Sequence, residues 1–217
     1  PIREASAATV EMLGDTPLIG FAGAPFTVAA YMVEGGPSRD HLRPRTMMHA
    51  DPAAWHELAS WAARTAGQFL RAQIEAGASA VQLFDSWAGS LSPRTYRESV
   101  APYSRMVAQR VAGAVSPVTG ERAPLIHFGT GSAPILADMA EVGANCVGVD
   151  WKTDLSWAIA QVPGKAVQGN LDPALLQAPW PVIEQAVRDI LDAGRSAPGH
   201  VFNLGHGVPP TTNPDVL

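Results

Sequence analysis

The chain has 217 residues, of which 47% are hydrophobic and 16% charged, and its formal net charge is −5. This balance is typical of a soluble globular protein with a sizeable core, and nothing in it suggests binding to nucleic acid or to an anionic membrane. The single cysteine, Cys146, excludes an internal disulfide and most structural zinc sites, and it favours the cytoplasm. No apolar run approaches the roughly 20 residues of a membrane span, and no signal-peptide pattern opens the chain.

Six short apolar segments are predicted to be β-strands. Each has the length of a strand, and several are nearly continuous apolar runs, as expected for a parallel sheet buried on both faces. In chain order they cover residues 17–23, 80–86, 124–129, 146–151, 166–170 and 200–207.

Helices are predicted between these strands. Asp51, Ser92, Asp172 and Asn213 each precede a proline, a pairing typical of an N-cap followed by the first helical residue. An apolar stripe predicts that the helix after Asp51 continues to a stop at Gly77. We expect further helices over 92–112 and 134–142, shorter ones after Asp154 and Asp172, and another from about Pro181.

Strands that alternate with helices predict a parallel α/β sheet, either open and doubly wound or closed as a barrel. The sequence lacks a G-x-G-x-x-G motif at a helix start, which disfavours the dinucleotide-binding version. No domain boundary is visible, and 115–123 is expected to be a loop, so 1–217 is predicted to form one domain. The chain starts with Pro1 instead of Met and stops just after Asn213-Pro214-Asp215, so we expect both ends to be cut.

In such folds, ligands bind at the carboxyl ends of the strands. Because side chains alternate along a strand, residues two apart share a face. We therefore expect an apolar pocket with a few polar groups, formed by three such sets: Ile19, Phe21 and Gly23; Gln82, Phe84 and Ser86; and Phe202, Leu204 and His206.

Each candidate also has a purely structural interpretation. His206 could be a loop histidine without a role, Ser86 could cap a turn, and Tyr31 could be an aromatic residue at the edge of the core. Asp85 and Asp150, at strand ends, could hydrogen-bond to loop backbone, and Asp172 could be only an N-cap.

Several chemistries lack their motifs. The sequence contains no H-E-x-x-H, no P-loop and no G-x-S-x-G elbow, and its six histidines show no metal-ligand spacing. No lysine stands in a strand where a Schiff base would form, and Lys152 is expected to be solvated in a loop.

Taken together, five segments resemble the uroporphyrinogen decarboxylase family, in the order and spacing of that family and along the whole chain. They are FAGAPFT at 21–27 leading into YMVEGG at 31–36, QLFDSWAG at 82–89, VGVDW at 147–151, QGNLDP at 168–173 and NLGHG at 203–207.

The resemblance implies an incomplete (β/α)₈ TIM barrel with about six of its eight strands, usually a homodimer. It implies removal of the four acetate carboxyls of uroporphyrinogen III, which gives coproporphyrinogen III in haem and chlorophyll biosynthesis, with no metal and no organic cofactor. Tyr31 and His206 match family residues that would handle protons or position carboxylates, and Ser86 matches a hydrogen-bond donor to a carboxylate. By analogy, the floor of the substrate cleft would be Phe21, Gly23 and Phe84.

The sequence also departs from the family pattern. The aspartate that holds the pyrrole N–H groups and the arginines that meet the carboxylates lie in an N-terminal region that this chain lacks. We therefore expect these 217 residues alone to be inactive, with an open sheet edge that is prone to association.

Three alternatives remain open. A corrinoid- or cobalamin-linked methyltransferase of the same superfamily would need zinc held by a histidine and two cysteines, whereas Cys146 is alone. A barrel that binds a porphyrinogen or a protein partner without catalysis is the second alternative. A generic aldolase-type barrel is the weakest, because the strand lysine is missing.

Overall fold

The computed structural model describes residues 1–217 and contains one sheet of six parallel strands. All six are shorter than the predicted segments but lie within them. They are β1 (Ile19–Gly23), β2 (Ala80–Phe84), β3 (Leu125–Phe128), β4 (Cys146–Gly148), β5 (Ala166–Gln168) and β6 (His200–Val201).

The strands lie side by side in chain order, from β1 to β6. A doubly wound sheet reverses its strand order at a switch point, whereas consecutive order is that of a (β/α) barrel. The sheet also curves inward as a barrel does, because Gln168 Nε2 on β5 donates to Gln82 Oε1 on β2 at 3.0 Å. In a flat sheet these strands would be about 14 Å apart. The fold is therefore α/β and of the TIM-barrel type with six strands, as predicted.

Nine α-helices connect and flank the strands. They are α1 (Ile2–Leu13), α2 (Pro25–Glu34), α3 (Leu42–Ala50), α4 (Pro52–Glu75), α5 (Pro93–Ser99), α6 (Ala101–Val111), α7 (Leu136–Glu141), α8 (Leu155–Gln161) and α9 (Trp180–Gly194). None of these helices is both long and apolar enough to cross a membrane.

The main core lies between the helices and the outer face of the sheet. Val81 and Leu83 on β2 are fully buried in a cluster of 29 residues that includes side chains of α2, α4 and α6. The inner face is buried at the central strands but open at the edges, where Phe21 on β1 is 60% exposed and Val201 on β6 is 48% exposed. β1 and β6 each pair with one neighbour only, so both have a free edge.

Gln73, near the end of α4, covers part of the free edge of β1. Its amide accepts from Phe21 N at 3.0 Å and donates to Phe21 O at 2.9 Å. Ala24 N donates to Phe84 O on β2, and backbone groups point to alternate edges along a strand, so those of Phe21 point away from β2. Gly20 permits this contact, because a Cβ there would lie 2.8 Å from Gln73 Oε1.

Several predicted helix boundaries are confirmed and others are wrong. The side chains of Asp51 and Ser92 cap α4 and α5 as predicted. The expected helix over 92–112 is instead two helices that break at Val100, because Pro102 cannot donate the backbone hydrogen bond that would continue α5. Asp172 is an N-cap as predicted, but a 3-10 helix follows it, over Pro173–Gln177.

Candidate functional site

A cleft of about 480 Å³ lies at the carboxyl ends of the strands, on the inner face of the sheet. β2, β3, β5 and the segment after β6 contribute to it. Its lining combines apolar and neutral polar side chains with one histidine: Gln82, Phe84, Ser86, Phe128, Gln168, Asn203, Leu204, His206, Gly207 and Val208.

β2 delivers Gln82, Phe84 and Ser86 to this cleft, as the strand alternation predicts. Phe84 stands in an edge-to-face row between Phe21 and Phe128, with ring centroids 5.9 Å apart on either side. This packing holds Phe84 at the floor of the cleft. The backbone carbonyl of Ser86 accepts from Thr130 Oγ1 at 2.6 Å, which ties the end of β2 to the loop after β3.

The predicted strand over 200–207 ends at Val201, and beyond it a single parallel bridge, Leu171–Leu204, keeps the chain beside the segment that follows β5. Asn203, Leu204 and His206 all line the cleft and Phe202 does not, so alternation fails along this loop. Gly205 packs directly on Trp151, and a Cβ at this glycine would lie 2.2 Å from Trp151 N. The close approach that Gly205 permits is thus made to backbone, whereas a Cβ at Gly207 would meet nothing within 4 Å.

His206 is exposed and lies edge-on to the Trp151 ring, with the centroids 5.4 Å apart. It also borders a second cavity of about 560 Å³, whose walls include Trp151, Asp172 and Pro173. The imidazole therefore stands between two solvent-filled spaces and is accessible to a ligand in either.

The other three predicted site residues do not line the cleft. Gly23 pairs with Phe84 in the β1–β2 register, and Phe21 contacts the Phe84 ring on its β1 side. Tyr31 on α2 is 45% exposed and stacks on Trp87, with ring centroids 4.1 Å apart and planes at 16°. Tyr31 is thus linked to the cleft through the residue that follows Ser86.

A buried polar cluster lies behind the end of β2. Asp85 and His127 are fully buried, and Asp85 Oδ2 lies 3.7 Å from His127 Nε2. Asp85 Oδ1 accepts from Thr27 Oγ1 at 3.1 Å, which connects α2 to β2. The Asp85 carboxylate therefore accepts from a side chain, and the expectation that it would bond to loop backbone was wrong. Thr27 is the last residue of the FAGAPFT motif at 21–27, whereas His127 had no signal in the sequence beyond its polarity in an apolar segment.

Asp150 has the structural role considered for it. Its carboxylate accepts from the backbone N–H of Gly131 and, at 2.8 Å, from Thr153 Oγ1. The amide of Asn170 donates to the backbone oxygens of Asp150 and Thr153 at 2.9 and 2.6 Å. These bonds fix the loop after β4.

The remaining ionisable groups give no sign of a metal centre. No three His, Cys, Asp or Glu side chains come together, and Lys152 is exposed as predicted. Burial raises the pKa of Cys146 on β4 to about 12, so this thiol stays protonated at neutral pH.

The fold and cleft define a barrel protein of the (β/α) class with its candidate site at the carboxyl ends of the strands. A family model described as uroporphyrinogen decarboxylase (URO-D) matches residues 1–217, so the chain belongs to this family.

Relatives named uroporphyrinogen decarboxylase match the entire chain. One from Arthrobacter sp. (strain FB24) is 62% identical over 218 residues, which cover 61% of that relative. One from Salinispora tropica is 56% identical over 217 residues, which cover 57% of it. The chain thus spans about three fifths of the length of these relatives.

A solved structure described as a methyltransferase from Methanosarcina mazei has the same fold. Its TM-score is 0.80 at 20% sequence identity, and the match covers 98% of this chain and 59% of that one. At this identity the likeness concerns the fold alone.

Proposed function

We propose that this chain is part of a uroporphyrinogen decarboxylase, a carboxy-lyase that converts uroporphyrinogen III to coproporphyrinogen III without metal or organic cofactor. The observation that carries the proposal is the cleft at the strand ends, where Phe84, Ser86 and His206 meet in a chain of this family.

The chemistry needs an electron sink. When CO₂ leaves an acetate arm, the carbon–carbon bond breaks and its electron pair must be accommodated. A pyrrole ring that has taken up a proton accepts that pair, a second proton converts the exocyclic carbon to a methyl group, and loss of the first proton from the ring restores the neutral pyrrole. The protein has to supply the protons, stabilise positive charge on the ring and bind the remaining carboxylates.

In this proposal, each predicted residue has a role that suits its position. His206 is accessible in the cleft and would transfer protons or position a carboxylate, and Ser86 would donate a hydrogen bond to a carboxylate. Phe84, with Phe21 and Gly23 beside it, would form the apolar floor. Tyr31 would act on substrate from the side of the cleft where Trp87 holds it.

His206 is the one ionisable side chain in the cleft lining, so this part of the site supplies little charge for a substrate with many carboxylates. We propose that the aspartate and arginines of the family pattern complete the site. The 217 residues alone would then be inactive.

We further propose that residues 1–217 form a single barrel domain and that the protein is a cytoplasmic homodimer that binds neither nucleic acid nor membrane. One buried, unpaired cysteine suits a reducing compartment. Light scattering of the purified complete gene product would measure its oligomeric state, and a monomer at micromolar concentration would contradict the dimer.

The test of function is anaerobic decarboxylation of uroporphyrinogen III by the complete product of the gene that encodes this chain. We expect turnover in the wild type and a fall of at least about tenfold for His206→Asn and for Tyr31→Phe, with partly decarboxylated intermediates. His49→Asn is a matched control, because His49 is exposed on α3 away from the cleft, and it should retain full activity. Folded wild-type protein without turnover would refute the assignment.

A further inference from the structure

Tyr31 has no direct place in the cleft lining, yet its ring is held. It stacks on Trp87, and Trp87 also contacts the ring of His41, with centroids 4.4 Å apart. His41 in turn meets Phe26 edge-on at 6.3 Å. Four aromatic side chains thus form a row from the exposed Tyr31 to Phe26, which is fully buried in the main core.

His41 is the unusual member of this row. It is only 5% exposed, and neither of its ring nitrogens has a hydrogen-bond partner. It also has a left-handed backbone conformation, with φ of 48°, which non-glycine residues rarely adopt. Both features are unfavourable, and an apolar side chain would avoid the unpaired nitrogens, so the imidazole at this position requires an explanation.

Burial of His41 favours the neutral form of its ring. Burial lowers the pKa of His41, although the nearby carboxylates of Glu34 and Asp40 act in the opposite direction. Arg45 acts in the same direction as burial. A neutral, planar ring can pack against the Trp87 indole, here with the two planes tilted by 36°, without carrying a desolvated charge into the core.

We propose that His41 and Trp87 are positioning residues, which together fix the orientation of the Tyr31 ring relative to Ser86 at the mouth of the cleft. The inference rests on the proposed function, since it assumes that Tyr31 acts on the substrate. Trp87 directly follows Ser86 in the chain. A phenol ring that stacks on Trp87 is therefore held in a fixed position relative to the strand end that presents Ser86.

The contact matters because Tyr31 is otherwise weakly constrained. Its side chain is 45% exposed and projects from α2, so without the stack it would be free to change rotamer. Misplacing a reacting group by about 1 Å can reduce turnover up to 100-fold. The stack would therefore affect kcat more than KM.

The experiment uses the complete gene product and compares His41→Ala with His41→Phe, which restores a planar ring. The contribution of the Tyr31–Trp87 pair to the near-ultraviolet circular dichroism is taken as the difference between the wild type and Tyr31→Leu, which keeps the Trp87–His41 contact. We expect His41→Ala to lose most of this signal and about tenfold in kcat, with KM within about twofold. His41→Phe should recover both, and His49→Ala, on the helix that begins after His41, should change neither.

A double-mutant cycle separates positioning from general structural support. In a Tyr31→Phe background, His41→Ala should cause no further loss of kcat, because the group it positions is absent. An undiminished tenfold loss in that background would overturn the proposal, as would an unchanged dichroism or an unchanged kcat in His41→Ala. If His41→Ala does not fold, failure of a folded His41→Phe to retain the dichroism and kcat would overturn it. A folded wild type with no decarboxylation refutes the proposed function instead, while the dichroism still decides whether His41 holds the stack.

Discussion

The hydrogen bond between Gln82 and Gln168 should be measurable as a coupling in the free energy of unfolding. Replacing either glutamine with leucine keeps the volume similar but leaves the other amide without its partner on the barrel interior. Both side chains are at least 93% buried, although both border the open cleft, so water compensates for part of the loss. We expect each single variant to lose about 1–2 kcal/mol and the pair to be coupled by about 1 kcal/mol.

The assay is urea denaturation of the wild type, the two single variants and the double variant of the complete gene product. The matched control is the exposed pair Gln185–Asp189, one turn apart on α9 and hydrogen-bonded at 2.8 Å, whose coupling should stay below about 0.5 kcal/mol. A coupling for Gln82–Gln168 that is no larger than the control would show that β2 and β5 do not meet. The inward curvature of the sheet would then be refuted.

Three other predictions each concern a single residue. Burial raises the pKa of Cys146 to about 12, so a thiol reagent at pH 8 should modify it slowly in the native protein and rapidly in urea; equally rapid modification in both would contradict this. Gly89→Ala should cost about 2–3 kcal/mol, because its Cβ would lie 2.1 Å from Thr130 O, whereas Gly113→Ala, in open space, should not destabilise the protein. The lowered pKa of His41 means that the unfolded chain binds this proton first. Stability should therefore fall as pH drops below 6.5, and His41→Phe should show a shallower fall in urea titrations between pH 7 and 5.

The strand positions could be predicted because parallel strands buried on both faces are apolar throughout. The phase of β2 followed from alternation, and it placed Gln82, Phe84 and Ser86 together correctly. The same rule failed after Val201, where the regular strand ends and only the isolated bridge Leu171–Leu204 continues the pairing. Phe202 therefore lies outside the cleft that Asn203 lines.

Other features depend on contacts between distant parts of the chain. The helices α1, α2 and α3 were not predicted; α2 has four buried residues, α3 two and α1 none. Tyr31 was identified from a family motif, whereas its partner His41 is ten residues further on and had no motif to mark it. No local pattern in the sequence shows that the rings of Tyr31 and His41 will both contact the indole of Trp87.

The amide of Gln73 reduces the free energy that a further strand can gain by pairing with the free edge of β1. A newly arriving strand would find Phe21 N–H and C=O already occupied, so it would exchange one pair of hydrogen bonds for another with little net free energy. Attachment of a strand there would have to be driven by burial of the exposed Ile19 and Phe21 side chains on the inner face. Recognition at this edge is thus selective for a strand with a matching apolar face, and an arbitrary polar strand has little to gain.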